Sequence, residues 1–339
     1  MKIACVEDKN VILKEAQKPT LEEFGGVGAI VKIKGCGLCG SDIVKLRDKL
    51  VKNGTVLGHE IVGQIEEINS KTQFKVGDNI VSSHHIPCFE CVFCKNENYS
   101  MCKHFKSTNI RPGGFSEYIY LSEEHLENVA VNIPENLTDI EASFYEPLGC
   151  CIRAVKRAVL PKGSTVAVIG LGSIGLLMGQ ALKAFGMKVI GCDLLAERIN
   201  LALELGFDEC VNSHDMEETR ELIFSKTDGY GADAIFMTSG ADATIPLAIK
   251  LVRSGGKIVI FASTPRNTGY ANNEIYYREL TVMGSYSPSP ADLKDSIKLL
   301  AEKKVKVNKI STEYKFEDIE KSIYDTIENK VLKAYIKIS

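Results

Sequence analysis

The run Thr165-Val166-Ala167-Val168-Ile169-Gly170-Leu171-Gly172-Ser173-Ile174-Gly175 decides how the second half of this chain is read. Five residues suited to a buried strand lead into a G-x-G-x-x-G pattern, and Ile174–Phe185 then has the character of a helix. The pattern is a weak signal alone; its place between strand and helix gives it meaning. Gly170 permits a tight turn, Gly172 lets a pyrophosphate approach the backbone, and Gly175 lets helix and strand pack closely. The helix start, at Ser173 and Ile174, offers unpaired N–H groups and a positive dipole end to phosphates.

The next predicted strand, Lys188–Asp193, ends on a carboxylate 18 residues after Gly175. A carboxylate there accepts the ribose hydroxyls of NAD and repels the 2′-phosphate of NADP. Arg198 follows five residues later, placed to pack over the adenine or approach the ribose. It softens the exclusion, so the expectation is NAD in preference to NADP.

Working outward, strands and helices keep alternating. Ala196–Leu205 reads as helix, Glu209–Val211 as strand and Met216–Ser225 as a polar helix. Strand Ala234–Met237, helix Ala243–Val252, strand Lys257–Phe261 and strand Leu280–Gly284 continue the series. Such βα alternation implies a doubly wound parallel sheet covered on both faces. Upstream of residue 147 the character differs: Ala29–Ile33, Glu60–Ile68 and Asn79–Ser82 are short β-type runs, with a turn signal at Gly77-Asp78. That half reads as an irregular β-rich domain. The helix Leu293–Lys303 and the strand-like Ala334–Ile338 read as a return to it. The expected division is 1–146, then 147–286 for the dinucleotide domain, then 287–339 for the return.

The chain has 339 residues, 45% hydrophobic and 25% charged, the balance of an ordinary globular enzyme of two domains. A net charge of −3 offers no basic field for nucleic acid or anionic lipid. The opening MKIACVEDKNVILKEA lacks a signal peptide's charged start and apolar core, and no stretch is apolar enough to span a bilayer. A cytoplasmic protein without membrane or nucleic-acid partners is the expectation.

There are 11 cysteines. Cys5, Cys36, Cys150, Cys151, Cys192 and Cys210 are scattered among apolar residues and read as small core residues. Cys88, Cys91, Cys94 and Cys102 supply four thiolates from one short loop. Four sulfurs complete a tetrahedral zinc and leave no open position, which makes such a site structural. Iron–sulfur clusters also use thiolates, but the loop carries no other redox signature. A second set is mixed: Cys39 in Gly37-Leu38-Cys39-Gly40-Ser41-Asp42, and His59-Glu60 in Gly58-His59-Glu60. Sulfur, nitrogen and oxygen donors together can hold zinc with a position open to substrate, and such a zinc lowers an alcohol's pKa.

At these residues the chain resembles the zinc-containing medium-chain dehydrogenases, near the sorbitol and threonine dehydrogenase branches. The likeness runs through Gly35-Cys36-Gly37-Leu38-Cys39-Gly40-Ser41-Asp42, Gly58-His59-Glu60-x-x-Gly63 and Gly77-Asp78. It continues through the four-cysteine loop, Gly113-Gly114-Phe115-Ser116-Glu117-Tyr118, Glu146-Pro147-Leu148 and the glycine fingerprint. It implies a GroES-like catalytic domain beside a Rossmann domain, a catalytic and a structural zinc, and hydride transfer between a small-molecule alcohol and NAD. It also implies a homo-oligomer, dimer or tetramer. Cys39 and His59 correspond to catalytic zinc ligands, with Glu60 as a third ligand in the polyol branch. Glu146 matches a position that binds zinc in some members and its water in others; the choice between Glu60 and Glu146 stays open. Pro147 suits a first helical residue, which would put Glu146 at the cap, pointing outward from the turn. Ser41 matches the hydroxyl that relays the substrate proton; a turn serine capping a helix is the alternative, and the two roles are compatible.

The pattern breaks in three places. Val44 stands where many relatives carry a relay histidine, so Asp42, Lys45 or water completes the relay, or it ends at the ribose. Asn69 replaces an expected glycine and would keep a left-handed turn. Gly284-Ser285-Tyr286-Ser287-Pro288 lacks the Arg-Tyr pair with which sorbitol dehydrogenases contact the polyol, which argues against sorbitol itself. A secondary alcohol, cyclitol or other sugar alcohol remains. His84 and His85 either line the substrate cleft or, more plainly, end a strand. Tyr276-Tyr277-Arg278-Glu279 faces a subunit contact or solvent. The competing reading is a nicotinamide-binding regulatory or structural protein; a zinc-free quinone reductase is disfavoured by the mixed donor set.

Overall fold

The computed structural model describes residues 1–8, 10–241, 244–263 and 271–339. Two compact units emerge from the chain's contacts. One comprises Met1–Pro147, Ser289–Ala301 and Val307–Ser339; the other comprises Leu148–Pro288 and Glu302–Lys306.

In the second unit the apolar runs form a six-stranded sheet in which every neighbouring pair is parallel. Across the sheet the strands run Glu209–Asn212, Lys188–Asp193, Thr165–Ile169, Ala232–Met237, Val252–Ile260, Thr281–Gly284. Counted along the chain, that order is 3-2-1-4-5-6, the doubly wound arrangement with its crevice where the order reverses. Val166, Ala167 and Val168 are fully buried, as a central parallel strand requires. Helix Ser173–Ala184 buries Gly175 through Leu182, and the Phe207 ring lies where a Cβ on Gly179 would be. Buried Gln180 ties the returning segment to this unit: its Nε2 donates to Lys306 O at 3.1 Å, and its Oε1 accepts from Lys306 N at 2.7 Å. The expected helix Ala243–Val252 begins outside the described residues; Thr244–Leu251 is helical, and Val252 already belongs to the fifth strand.

The first unit is built on a seven-stranded sheet. Strands Ser311–Lys315, Lys333–Lys337, Gly28–Gly37, Glu60–Asn69, Asn79–Ser82 and Ala130–Asn132 lie in that order, with Tyr118–Leu121 also paired to Gly28–Gly37. A hairpin of Lys2–Glu7 and Asn10–Glu15 forms a second, two-stranded sheet, and its Ala4, Cys5, Val6 and Val11 join the core of the same unit. Gly77 supplies a φ of +92° for the turn before Asn79, and Asp78 Oδ2 accepts from Lys75 N at 3.0 Å. Asn69 departs from expectation. It has no positive φ; it ends a strand opposite Gly28, and its amide donates to Gly26 O at 2.5 Å.

Two glycines on Gly28–Gly37 are there for space rather than for backbone freedom. A Cβ on Gly35 would lie 2.1 Å from the Tyr335 hydroxyl oxygen, and one on Gly37 would lie 2.1 Å from Glu60 Oε2. The strand is therefore bare where two neighbouring side chains cross it. No helix among the described residues is long and apolar enough to cross a membrane.

Candidate active site

The glycine run sits where strand Thr165–Ile169 gives way to helix Ser173–Ala184, with Gly172 as N-cap. Gly170 has φ +94°, and a Cβ on Gly175 would stand 1.9 Å from Gly170 O, so neither position accepts another side chain without strain. A Cβ on Gly172 would meet no atom within 4 Å, which leaves the backbone of that residue approachable. Asp193, at the end of Lys188–Asp193, is buried and pinned by three amides. Its Oδ2 accepts from Leu171 N at 2.5 Å, and its Oδ1 accepts from Leu194 N at 2.8 Å and Leu195 N at 3.0 Å. Arg198 Nη1 lies 3.9 Å from Asp193 Oδ2. The structure thus joins Asp193, Arg198 and the glycine loop around one strand end.

Cys88, Cys91, Cys94 and Cys102 converge with their sulfurs all within 4.8 Å of one another. Sγ–Sγ distances are 3.5 Å for Cys88–Cys102, 3.6 Å for Cys91–Cys94 and 4.0 Å for Cys88–Cys94. Zinc–sulfur bonds of ~2.3 Å in a tetrahedron place the sulfurs about 3.8 Å apart, so the cage matches zinc. Burial pushes the Cys102 thiol up, but the backbone amides of Phe105 and Cys88 outweigh it and hold the group at about 6. Burial and the neighbouring sulfurs push Cys94 up to about 12. A cation would settle both as thiolates.

The other donor set is assembled from two elements. Cys39 caps helix Gly40–Arg47, and His59 and Glu60 stand at the start of Glu60–Asn69. Their donor atoms also lie within 4.8 Å of one another. Asp42, wholly buried, accepts from Cys39 N at 3.3 Å through Oδ2 and lies 3.5 Å from His59 Nδ1 through Oδ1. Burial alone would raise Asp42 and lower His59. The attraction between them wins on both sides, drawing Asp42 down and, with Cys39, His59 well above its ordinary value. Anions crowded around an imidazole favour a positive charge at that point, and a metal ion meets the demand as a proton does. Sulfur, imidazole and carboxylate are a donor set that zinc accepts.

Lys333, the first residue of Lys333–Lys337, is 5% exposed. Its Nζ donates to Glu60 Oε1 at 2.5 Å and stands 2.5 Å from Oε2. Burial would lower this ammonium, but the charges of Glu60 and Cys39, with Glu146 behind them, hold it above its ordinary value. Glu146 is 5% exposed and lies within helix Tyr145–Ala158. The expectation of a cap residue pointing outward is therefore corrected: the helix begins at Tyr145, and Pro147 fits because its missing N–H falls in a first turn. Glu60, not Glu146, clusters with Cys39 and His59 among the described residues.

Ser41 is exposed in the first turn of Gly40–Arg47, and the N-cap is Cys39 instead. Val44 lies on the same helix, while Lys45 Nζ is 3.9 Å from Asp42 Oδ1. His84 and His85 do follow strand Asn79–Ser82, yet His84 also reaches the donor set. The His84 ring stands 4.5 Å from that of His59 and 3.9 Å from that of His85. Burial, reinforced by the charge of His59, keeps His84 well below the usual imidazole range, and burial drives His85 down to about 4. Tyr276 and Tyr277 are exposed. Lys333 was the residue that sequence reasoning missed. Its signal, a lysine opening the terminal strand Lys-Ala-Tyr-Ile-Lys, becomes meaningful only once sheet order brings that strand beside Gly28–Gly37.

The alcohol dehydrogenase GroES-like domain family matches residues 26–134, and the zinc-binding dehydrogenase family matches residues 173–302. A sorbitol dehydrogenase of Halalkalibacterium halodurans is 32% identical over 316 residues, covering 90% of each chain. A D-arabitol-phosphate dehydrogenase of Enterococcus avium is 30% identical over 321 residues, covering 91% of this chain and 89% of its own. Galactitol-1-phosphate dehydrogenase from Escherichia coli superposes with a TM-score of 0.88 at 25% identity, covering 100% of both chains. The chain belongs to the zinc-containing medium-chain dehydrogenase family, in its polyol branch.

Proposed function

We propose that this protein is a zinc-dependent dehydrogenase that oxidises a secondary hydroxyl of a polyol, cyclitol or related sugar alcohol and passes the hydride to NAD. The observation that carries the reading is the convergence of Cys39, His59 and Glu60 within 4.8 Å. Relatives named for sorbitol, arabitol phosphate and galactitol 1-phosphate support the substrate class. A protein that merely bound a nicotinamide would have no use for a three-donor cluster backed by a buried carboxylate.

A zinc ion held by Cys39, His59 and Glu60 would supply the Lewis acidity that lowers the pKa of the substrate hydroxyl. Asp42 keeps the His59 ring turned and its far nitrogen available. The Ser41 hydroxyl takes the proton the alcohol loses and hands it on. Asp42 does not continue that path, because it is wholly buried and engaged by Cys39 N–H, His59 and Lys45. Val44 carries no proton, so Lys45 or water beyond Ser41 receives it, or the path ends at the cofactor's ribose. On the cofactor side, Gly170, Gly172 and Gly175 with the helix start at Ser173 and Ile174 cradle the pyrophosphate, and Asp193 with Arg198 holds the adenosine ribose. Cys88, Cys91, Cys94 and Cys102 would hold a second, structural zinc. A homo-oligomer is part of the proposal.

The test is NADH formation by zinc-loaded protein across sugar alcohols, their phosphates, cyclitols and simple secondary alcohols. Turnover of one class, abolished in Cys39→Ala and reduced ~100-fold or more in Ser41→Ala, is the expected result. Turnover that survives Cys39→Ala would sink the mechanism.

A further inference from the structure

Buried ion pairs contribute little net stability, because desolvating both charges offsets most of their attraction. The Lys333–Glu60 pair is such a pair, and its carboxylate belongs to the Cys39–His59–Glu60 donor set. Three features show the contact to be built in. Tyr335 pairs with Gly37, and Leu38 N donates to Ala334 O at 2.9 Å, which fixes the terminal strand against the segment leading to Cys39. Gly37 in turn pairs with Glu60, and its missing side chain leaves the lane that the carboxylate occupies. Within that lane, Glu60 Oε2 is buried and lacks a well-formed hydrogen bond, even though Lys333 Nζ stands 2.5 Å away. One oxygen is bonded to the lysine; the other is only near it, on a residue whose neighbours are two further metal donors.

We propose that Lys333 is a positioning residue that competes with the catalytic-site metal for Glu60, and thereby sets how tightly that metal is held. This rests on the reading of Cys39, His59 and Glu60 as the metal site. A carboxylate shared with an ammonium is a weaker donor than a free one, so the lysine keeps Glu60 a reversible ligand.

The experiment measures cobalt(II) affinity by chelator competition, together with the cobalt ligand-field spectrum, on the full-length protein. Cys39→Ala first identifies the site, removing one metal equivalent while the four-cysteine loop keeps its own. Lys333→Met should then tighten binding at that site about tenfold and shift the spectrum, opposite in sign to the loss that follows when an outer partner that strengthens its ligand is removed. Lys333→Arg should restore both toward the original. In a Glu60→Gln background, which leaves no carboxylate to compete for, Lys333→Met should change affinity less than about twofold. That double variant also carries no unpaired buried charge, so it guards against a merely unfolded single variant. Equal tightening in both backgrounds would mean a simple field effect and would overturn the proposal, as would weaker binding in Lys333→Met. Unchanged binding in Lys333→Met, with the site still lost in Cys39→Ala, would overturn it and leave the metal site standing. Failure of Cys39→Ala to remove a metal would overturn both.

Discussion

Asp42 stands 3.5 Å from His59 Nδ1 with its other oxygen on the amide of Cys39, so one buried carboxylate touches two of the three residues proposed to hold the metal. The arrangement comes from a helix start: Cys39 is the N-cap and Asp42 the third residue of Gly40–Arg47, the positions that a capping pair occupies. Replacing Asp42 by Asn keeps the size and one acceptor but removes the charge that polarises His59. Metal affinity at the Cys39 site should fall ~10–100-fold, with the four-cysteine site unaffected. Chelator competition reads both sites; equal affinity in Asp42→Asn would remove Asp42 from the argument.

The four-cysteine loop has little apolar material of its own: Cys94, Cys102 and Phe105 form its small core, with Cys88, Cys91 and Tyr99 packed against them. Its order should therefore depend on metal. Cys102→Ser is expected to lower the metal content by one equivalent and to make the loop susceptible to limited proteolysis, while NAD binding, which uses the glycine loop, persists. A protease-resistant loop in metal-depleted Cys102→Ser would show that packing suffices.

How much of this was legible beforehand depended on whether a feature is local. Thr165–Ile169, Asn79–Ser82 and Met216–Ser225 could be read because burial and periodicity act within a few residues. Cys39, His59 and Glu60 could be picked out because glycines frame them, and the four cysteines because they share one loop. What was lost is long-range. Lys333 and Glu60 are 273 residues apart, and sheet order alone joins them. The contact of His84 with His59 is hidden for the same reason: nothing near His84 in sequence announces His59. Gly35 and Gly37 look like turn residues, yet they clear space for Tyr335 and Glu60 across the strand. Asn69 reads as keeping the geometry of the glycine it replaces, but it ends a strand and bonds Gly26 O through its side chain instead.

His125 gives the protein an acid-sensitive link. Its Nε2 lies 3.2 Å from His84 O, a carbonyl that can only accept, so Nε2 carries the hydrogen and Nδ1 accepts from the Ser122 hydroxyl at 2.8 Å. Burial pushes the group down from 6.5 to about 4. The unfolded chain therefore takes up a proton before the folded one does. The contribution of a neutral His125 is whole above about pH 6.5 and is lost as pH falls toward 4, up to a few kcal/mol. His125→Phe should be less stable than the parent at pH 8 through its lost hydrogen bonds, and the gap should narrow steadily between pH 6.5 and 4. Urea midpoints of both proteins across that range provide the check; a gap independent of pH would contradict the assignment.

Asp193 tests the cofactor preference, and the structure changes what its replacement should do. The carboxylate has about four acceptor positions, and three of them receive Leu171 N, Leu194 N and Leu195 N. It is thus part of the glycine loop's scaffold as well as a source of negative charge. Asp193→Ala would leave three amides without their acceptor, so binding of both NAD and NADP should weaken. Asp193→Asn keeps one acceptor oxygen but presents a donor nitrogen to amides that need an acceptor, and should behave almost as badly. Asp193→Ser is small enough to admit a 2′-phosphate, and its loss of charge turns nearby Arg198 from a partner of Asp193 into a partner for that phosphate. Its NADP-to-NAD ratio of kcat/KM should rise ~10-fold or more, chiefly through lost NAD activity. Arg198→Ala in the same background should lower NADP activity without restoring NAD. A ratio unmoved by Asp193→Ser would mean that the carboxylate serves the loop alone, and that the preference between cofactors is set elsewhere.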